Sequence, residues 1–327
     1  MNAPAQGRVR LHDLEPELED FQQAVLAGLS ATPKTLPCKF FYDQRGSQLF
    51  DAICQLPEYY PTRTEIAILE RCAPEIAERA GGPCLLLEYG SGSSVKIRTL
   101  LDRLDIAAYV PIDISKEHML DAADTLLESY PALDILAVCA DYSQPLDLTA
   151  VADAADAALP RVGFFPGSSI GNFARAQALA FLRSAAHHLG AGGALVVGVD
   201  LKKDRAVLEA AYNDADGVTA EFNLNLLSRI NAELGGDFDL GGFRHRALWN
   251  ADAGRVEMHL ESARTQTVQL DGRSFRFGAG ESIHTENSYK YSLDEFRALA
   301  REAGFEPETV WTDDNAWFSV HFLRLPG

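Results

Sequence analysis

The sequence predicts an α/β protein: a doubly wound, Rossmann-like parallel sheet with a second α+β domain formed from the N-terminal segment and an insertion. Three observations predict it. The stretch LLLEYGSGSS (85–94) runs from an apolar segment into glycines and then into the helical pattern KIRTLLDRL. Short apolar runs and helical runs then alternate as far as Asp200. Finally, residues 243–278 switch to a period-two pattern broken by turn residues, which belongs to antiparallel strands.

A buried parallel strand reads as a continuous apolar run, and glycines after it let the backbone turn tightly beside a ligand. Strand 84–90 therefore opens a nucleotide-binding unit, with helix 96–104 behind it. Strand 107–114 ends in Asp113, 21 residues beyond Gly92, an offset at which an acid can accept hydrogen bonds from ribose hydroxyls. Helix 116–129, strand 133–139, strand 161–166, helix 175–189 and strand 194–200 follow. Ligands bind such sheets at the carboxyl ends of their strands. Those ends carry Glu88 and Gly90, Asp113, Asp141 and Tyr142, the glycine-bounded Gly167–Asn172, and Asp200. Each has a plainer reading: Asp141 as a helix cap, Asn172 as a turn residue. Their recurrence at consecutive strand ends favours a ligand site.

The glycine motif narrows the ligand. A dinucleotide fingerprint needs Gly or Ala three places after the second glycine, and Ser93, Ser94 and Val95 follow Gly92. No GxxxxGK[ST] is present, so there is no phosphate-cradling loop. A short glycine turn preceded by an acid fits S-adenosylmethionine (SAM), which has no pyrophosphate to hold. The end of the chain agrees. Helix 291–304, with a capping box at Ser292 and Glu295, leads into FEPETVWTDD and WFSVHFLRL, two strands expected to form an antiparallel hairpin. Five strands, a helix and a terminal hairpin make the class I SAM methyltransferase topology.

The remaining segments are assigned by exclusion. Residues 1–16 read as a flexible, polar arm, and a helix is expected from Glu17 to near Pro33. The stretch 36–69 sets Tyr42, Asp43, Arg45, Tyr59 and Arg63 among aromatics and prolines, which suits either core packing or the wall of a pocket. Residues 206–235 read as helical. The expected division is a methyltransferase core at 64–200 plus 288–327, and a substrate-binding domain at 17–63 plus 201–287.

Composition excludes several classes. With 47% hydrophobic residues in 327, a sizeable core is affordable, and no apolar run approaches the roughly 18 residues of a membrane span. The N-terminal stretch has no apolar segment of the signal-peptide kind. A net charge of −18 repels phosphate backbones and anionic membrane surfaces, so neither nucleic acid nor membrane is an expected partner. Five scattered cysteines without a CxxC argue for a reducing cytoplasm and against a disulfide framework or metal site. With no exposed apolar helix face evident, a monomer is expected.

Four motifs, FFYDQRGSQLFDAICQLPEYYPTRTE, LLEYGSGSSVK, FFPGSSIGNF and ESIHTENSYKYS, together resemble the SAM-dependent histidine N-α-methyltransferases of ergothioneine biosynthesis, from about residue 18 to the C-terminus. The resemblance implies a SAM site on Tyr42, Gly90, Lys96, Asp113, Asp141 and Tyr142, with Asp113 on the ribose and Asp141–Tyr142 around the adenine. It implies a histidine site on Tyr59, Asn172, Tyr212, Glu286 and Ser288, with Met258 packed beside them. Asn172 and Tyr212 would donate to the substrate carboxylate. Glu286 and Ser288, two apart on an extended segment, would face one side and hold the imidazole. Read alone, that pair is an ordinary solvated strand face. Tyr59 is the implied catalytic residue, orienting the amine. The implied product is the trimethylated betaine hercynine, after three transfers. Tyr89 departs from the family's aliphatic position and is expected to alter packing only. Two other readings stay open: a relative acting on tryptophan or tyrosine, against which Glu286 argues, and a non-catalytic SAM-binding regulator.

Overall fold

The computed structural model describes residues 8–14, 21–92, 95–142, 146, 148 and 159–327. The expected N-terminal arm, the start of the helix expected from Glu17, and Ser93–Ser94 of the glycine motif fall wholly or partly outside that set. The chain divides into two compact units. One comprises Met1–Pro16, Arg63–Leu201 and Tyr291–Gly327, the other Glu17–Thr62 and Lys202–Lys290.

In the first unit, eight described strands form one sheet. They are β1 (Val9–Asp13), β3 (Cys84–Tyr89), β4 (Ile106–Asp113), β5 (Ile135–Cys139), β6 (Arg161–Phe165), β7 (Ala194–Asp200), β13 (Glu306–Thr312) and β14 (Phe318–Arg324). Their order is β1-β5-β4-β3-β6-β7-β14-β13. Neighbours are parallel except that β14 runs antiparallel to both β7 and β13, the terminal hairpin read from the sequence. Alternate residues of β3 serve opposite faces. Leu85, Leu87 and Tyr89 join a core with α6 (Arg175–Leu189) and α9 (Leu293–Glu302). Cys84 and Leu86 join another with α3 (Tyr60–Ala80), α4 (Val95–Leu101) and α5 (Lys116–Ser129). Helices on both faces make the sheet doubly wound.

One expectation is corrected here. The polar arm at 1–16 contributes β1, which pairs in parallel with β5 from Val9–Ile135 to Asp13–Cys139. A strand spelled VRLHD at a sheet edge has only one flank to bury, so its charged residues stay in water and mask its periodicity.

In the second unit, β2 (Lys34–Thr35), β12 (Ser282–Tyr289), β9 (Arg255–Ser262) and β8 (Phe243–Asn250) form a four-stranded sheet in that order. The hairpin β10 (Gln266–Leu270) and β11 (Arg273–Phe277) stands apart from it. The unit's helices are α1 (Phe21–Ser30), α2 (Gln44–Ile53), α7 (Arg205–Ala211) and α8 (Val218–Leu234). The four-stranded sheet carries an irregularity that decides the site. His284 pairs with His259, Glu286 with Met258 and Ser288 with Val256, so Thr285 has no partner on β9. This bulge shifts the alternation by one. It sends Glu286 and Ser288 to the buried face with Val256 and Met258, away from His284.

Candidate active site

In the first unit, the order of the sheet reverses beside β3, flanked by β4 on one side and β6 on the other. Ligands bind such sheets at a switch point, and the predicted residues of this unit lie at or just past the strand ends around it. Gly90 has φ +76°, and a Cβ there would meet the Tyr142 hydroxyl at 3.2 Å, so both backbone and neighbour demand glycine. Asp113 accepts from the Ser115 N–H at 2.9 Å and from the Gly92 N–H at 3.3 Å, tying the end of β4 to the glycine turn. Burial raises its carboxyl above the usual range, and those N–H donors oppose the rise. Tyr142 sits edge-on to Phe165 and Phe181, and Asp141 precedes it at the end of β5. Asn172 ends a tight 3-10 turn, Ser169–Asn172, entered through Ser168 at φ 56°.

Three features of this unit escaped the sequence reading. Lys96 forms an ion pair with Glu65 at 2.7 Å. Glu65 is only 1% exposed and takes the Gly167 N–H on both oxygens at 2.9 Å. A Cβ at Gly198 would lie 1.9 Å from the same carboxylate, so that glycine makes room for it. Glu88, the acid of the glycine motif, accepts from Tyr109, and burial pushes it up to about 8. Tyr89 does more than pack, since its hydroxyl lies 3.3 Å from His188 Nδ1.

The residues at these strand ends fit SAM. Ser91 Oγ, in the glycine turn, is buried and has no hydrogen-bond partner among the described residues, as a ligand-facing group would be. Asp113 is an acceptor at the end of the second strand, where ribose hydroxyls need one.

In the second unit, Tyr42, Phe50, Tyr59 and Tyr212 form a chain of edge-to-face aromatic contacts, at 5.7 Å, 6.3 Å and 6.3 Å. Tyr212 caps α7, and its hydroxyl donates to Ser288 Oγ at 2.8 Å. The Lys290 ammonium, 3% exposed, donates to Tyr212 at 3.0 Å and to Ser288 Oγ at 2.8 Å. Nothing in the sequence singles out Lys290, because its burial is a tertiary effect. Glu286 stands opposite buried Met258. Burial pushes its carboxyl up to about 7, and the Lys290 charge opposes the rise. The Tyr59 phenol is held well above its usual range, first by burial and then by Tyr212 and its other neighbours. It is therefore neutral near pH 7 and suited to orienting a ligand by hydrogen bonding rather than to removing a proton as phenolate. Of the predicted residues, Tyr59, Tyr212, Met258, Glu286 and Ser288 belong to this unit, as does Tyr42. Asn172 belongs to the first.

The opposite face of the same sheet brings Glu257, His259 and His284 together, with potential metal-ligand atoms within 4.8 Å of one another. The Glu257 carboxylate is already engaged by Arg255 at 2.6 Å and Asn250 at 2.9 Å, and the two imidazoles stack at 4.7 Å. This cluster is explained as a polar network.

Comparison with known proteins places the chain. The family described as histidine-specific methyltransferase, SAM-dependent, matches residues 21–325. The chain belongs to that family. It is 42% identical to the histidine N-alpha-methyltransferase of Mycolicibacterium smegmatis, covering 92% of this chain and 94% of that protein. It is 32% identical to ergothioneine biosynthesis protein 1 of Neurospora crassa over 89% of this chain, which spans 33% of that longer protein. The CcbJ methyltransferase from Streptomyces caelestis shares the fold, with a TM-score of 0.51 at 16% identity, covering 88% of this chain and all of that one. As a member of the histidine-specific methyltransferase family, the chain is a SAM-dependent enzyme with a class I core. No described helix is long and apolar enough to cross a membrane.

Proposed function

We propose that this enzyme transfers methyl groups from SAM to the α-amino nitrogen of L-histidine three times, giving hercynine in the first step of ergothioneine biosynthesis. The observation that carries this reading is the pair Glu286 and Ser288, turned by the bulge at Thr285 to the buried face of β12 beside Tyr212 and Lys290. A carboxylate drawn largely out of water, as the half-buried Glu286 is, favours a partner that satisfies it. An imidazole N–H is such a partner, and the ring's second, bare nitrogen can accept from Ser288, which neither an indole nor a phenol ring offers. Relatives named for histidine methylation and for ergothioneine biosynthesis support the same substrate.

SAM supplies an electrophilic methyl carbon on a sulfonium, and displacement there releases a neutral thioether. The α-ammonium first loses a proton to solvent, its lone pair then forms the new N–C bond as the C–S bond breaks, and the nitrogen loses a further proton before each following transfer. In this reading SAM is held by Tyr42, Gly90, Lys96, Asp113, Asp141 and Tyr142, with the Asp113 carboxylate accepting from the ribose. Glu286 and Ser288 grip the imidazole, Asn172 serves the carboxylate and Tyr59 orients the amine, while Tyr212, expected on the carboxylate, spends its one hydrogen on Ser288. The neighbouring aromatic faces favour the growing methylammonium. Holding the nitrogen in line behind the methyl carbon supplies most of the rate. No metal, nucleic acid or membrane enters the reaction, and a cytoplasmic monomer suffices.

Purified protein, SAM and an equimolar mixture of the common amino acids, followed by mass spectrometry, test this. Three methyl groups gained on histidine alone is the expected result. Methylation of another amino acid, or a product that stops at one methyl, overturns it.

A further inference from the structure

Ser288 Oγ accepts two hydrogen bonds, from the Tyr212 hydroxyl at 2.8 Å and from the Lys290 ammonium at 2.8 Å. A serine hydroxyl has two acceptor lone pairs and one hydrogen. Both lone pairs are therefore in use, and among the described residues the Ser288 hydrogen has no recorded acceptor. An ammonium can only donate, so the bond from Lys290 cannot reverse and always occupies one Ser288 lone pair. Lys290 is also fixed in place: it is 3% exposed, it donates to Tyr212 at 3.0 Å, and its Nζ lies 5.0 Å from the centre of the Tyr212 ring.

We propose that Lys290 is a specificity-determining positioning residue, which fixes Ser288 as a hydrogen-bond donor and so selects a neutral azole ring carrying one bare nitrogen. The inference rests on the histidine reading above and adds the protonation state and tautomer that the pocket demands. Glu286 is an acceptor and takes the ring N–H. Ser288 is a donor and takes the other nitrogen, which must bear no proton. An imidazolium would turn an N–H against the Ser288 hydrogen. A pyrrole ring would offer Ser288 nothing to bind, leaving a buried donor unmet.

The test compares kcat and KM for L-histidine with those for pyrrol-2-ylalanine, which keeps a ring N–H and lacks the bare nitrogen. The unmodified enzyme is expected to prefer histidine by about tenfold or more in kcat/KM, the size of one lost hydrogen bond. In Lys290→Met that preference falls to about threefold or less, because Ser288 is then free to turn its oxygen toward a ring N–H. Lys290→Arg, which also only donates, restores it. Should Lys290→Met fail to fold, Ser288→Ala removes the same donor and is expected to show the same loss of preference. Calorimetric SAM binding by each variant checks that its other ligand is unaffected. If Lys290→Met and Ser288→Ala slow both amino acids in equal proportion, the ring preference does not depend on this donor and the inference is overturned. An unmodified protein that leaves histidine unmethylated overturns the histidine reading itself, which separates the two failures.

Discussion

Two carboxyls with raised pKa values make opposite demands of pH. Glu286 is pushed up to about 7 by burial, against the pull of Lys290. Below that pH it holds a proton and becomes a poorer acceptor for a ring N–H. KM for histidine is therefore expected to rise as pH falls through about 7, beyond the rise that protonation of free histidine causes. In Glu286→Gln the extra rise should vanish, and KM at pH 8 should be higher by at least about tenfold, the scale of a charge-assisted hydrogen bond. Steady-state KM from pH 6 to 9 on both proteins checks this; matching profiles would remove Glu286 from the ring. Glu88, 1% exposed and pushed up to about 8, acts on stability instead. Its native carboxyl keeps a proton that the unfolded chain releases near pH 4.3. Between those values the native state binds more protons, so this group's contribution is fully present at low pH and is lost as pH rises. Relative to the parent, Glu88→Gln should gain stability from pH 5 to pH 8, on the order of 1–3 kcal/mol in urea unfolding. A parallel pH dependence in the two proteins would show that Glu88 is ionised in the native state.

At the scale of elements, the bulge in β12 is what turns Glu286 and Ser288 to the face of Met258 and Val256. The Thr285 hydroxyl donates to the Met258 carbonyl at 3.0 Å, pinning the unpartnered residue to β9. Thr285→Val keeps the shape and leaves a buried carbonyl short of a partner, so it should cost about 1–2 kcal/mol in denaturant and raise KM for histidine more than it changes kcat. An unchanged KM would mean that the bulge holds without this bond. The same strand shows what sequence can and cannot convey. Spacing placed Glu286 and Ser288 on one side, because period two is a property of the extended chain. Which face they turn to depends on a register shift against β9, and no local pattern records that. The parallel strands were legible because burial on both faces leaves a continuous apolar run. So was the cap of α9, where Ser292 and Glu295 bond each other's N–H at 3.2 Å and 2.7 Å. β1 was missed for the converse reason, as an edge strand with polar residues. Glu65 and Lys290 were missed because a single charged letter looks the same whether folding leaves it in water or buries it.

At the scale of the whole molecule, the chain leaves the first unit and returns to it, and the two proposed ligand sets follow that division closely. Gly90, Lys96, Asp113, Asp141 and Tyr142 lie in the unit of the parallel sheet, with Tyr42 the member of the SAM set outside it. Tyr59, Tyr212, Met258, Glu286 and Ser288 lie in the other, with Asn172 the member of the histidine set outside it. Each unit has its own sheet, and the hydrogen bonds that hold Asp113 and Ser288 stay within their respective units. Lesions in the two sets should therefore be separable. Asp113→Asn replaces a carboxylate that binds backbone N–H groups and is expected to weaken SAM binding by about 10- to 100-fold, the range for a hydrogen bond to a charged group. Glu286→Gln, without shared partners, should leave SAM affinity within about twofold. Calorimetric titration with SAM alone, in the absence of histidine, reads both. Equal losses of SAM affinity in the two variants would show that Glu286 supports the SAM site as well, and the assignment of one ligand set to each sheet would have to be abandoned.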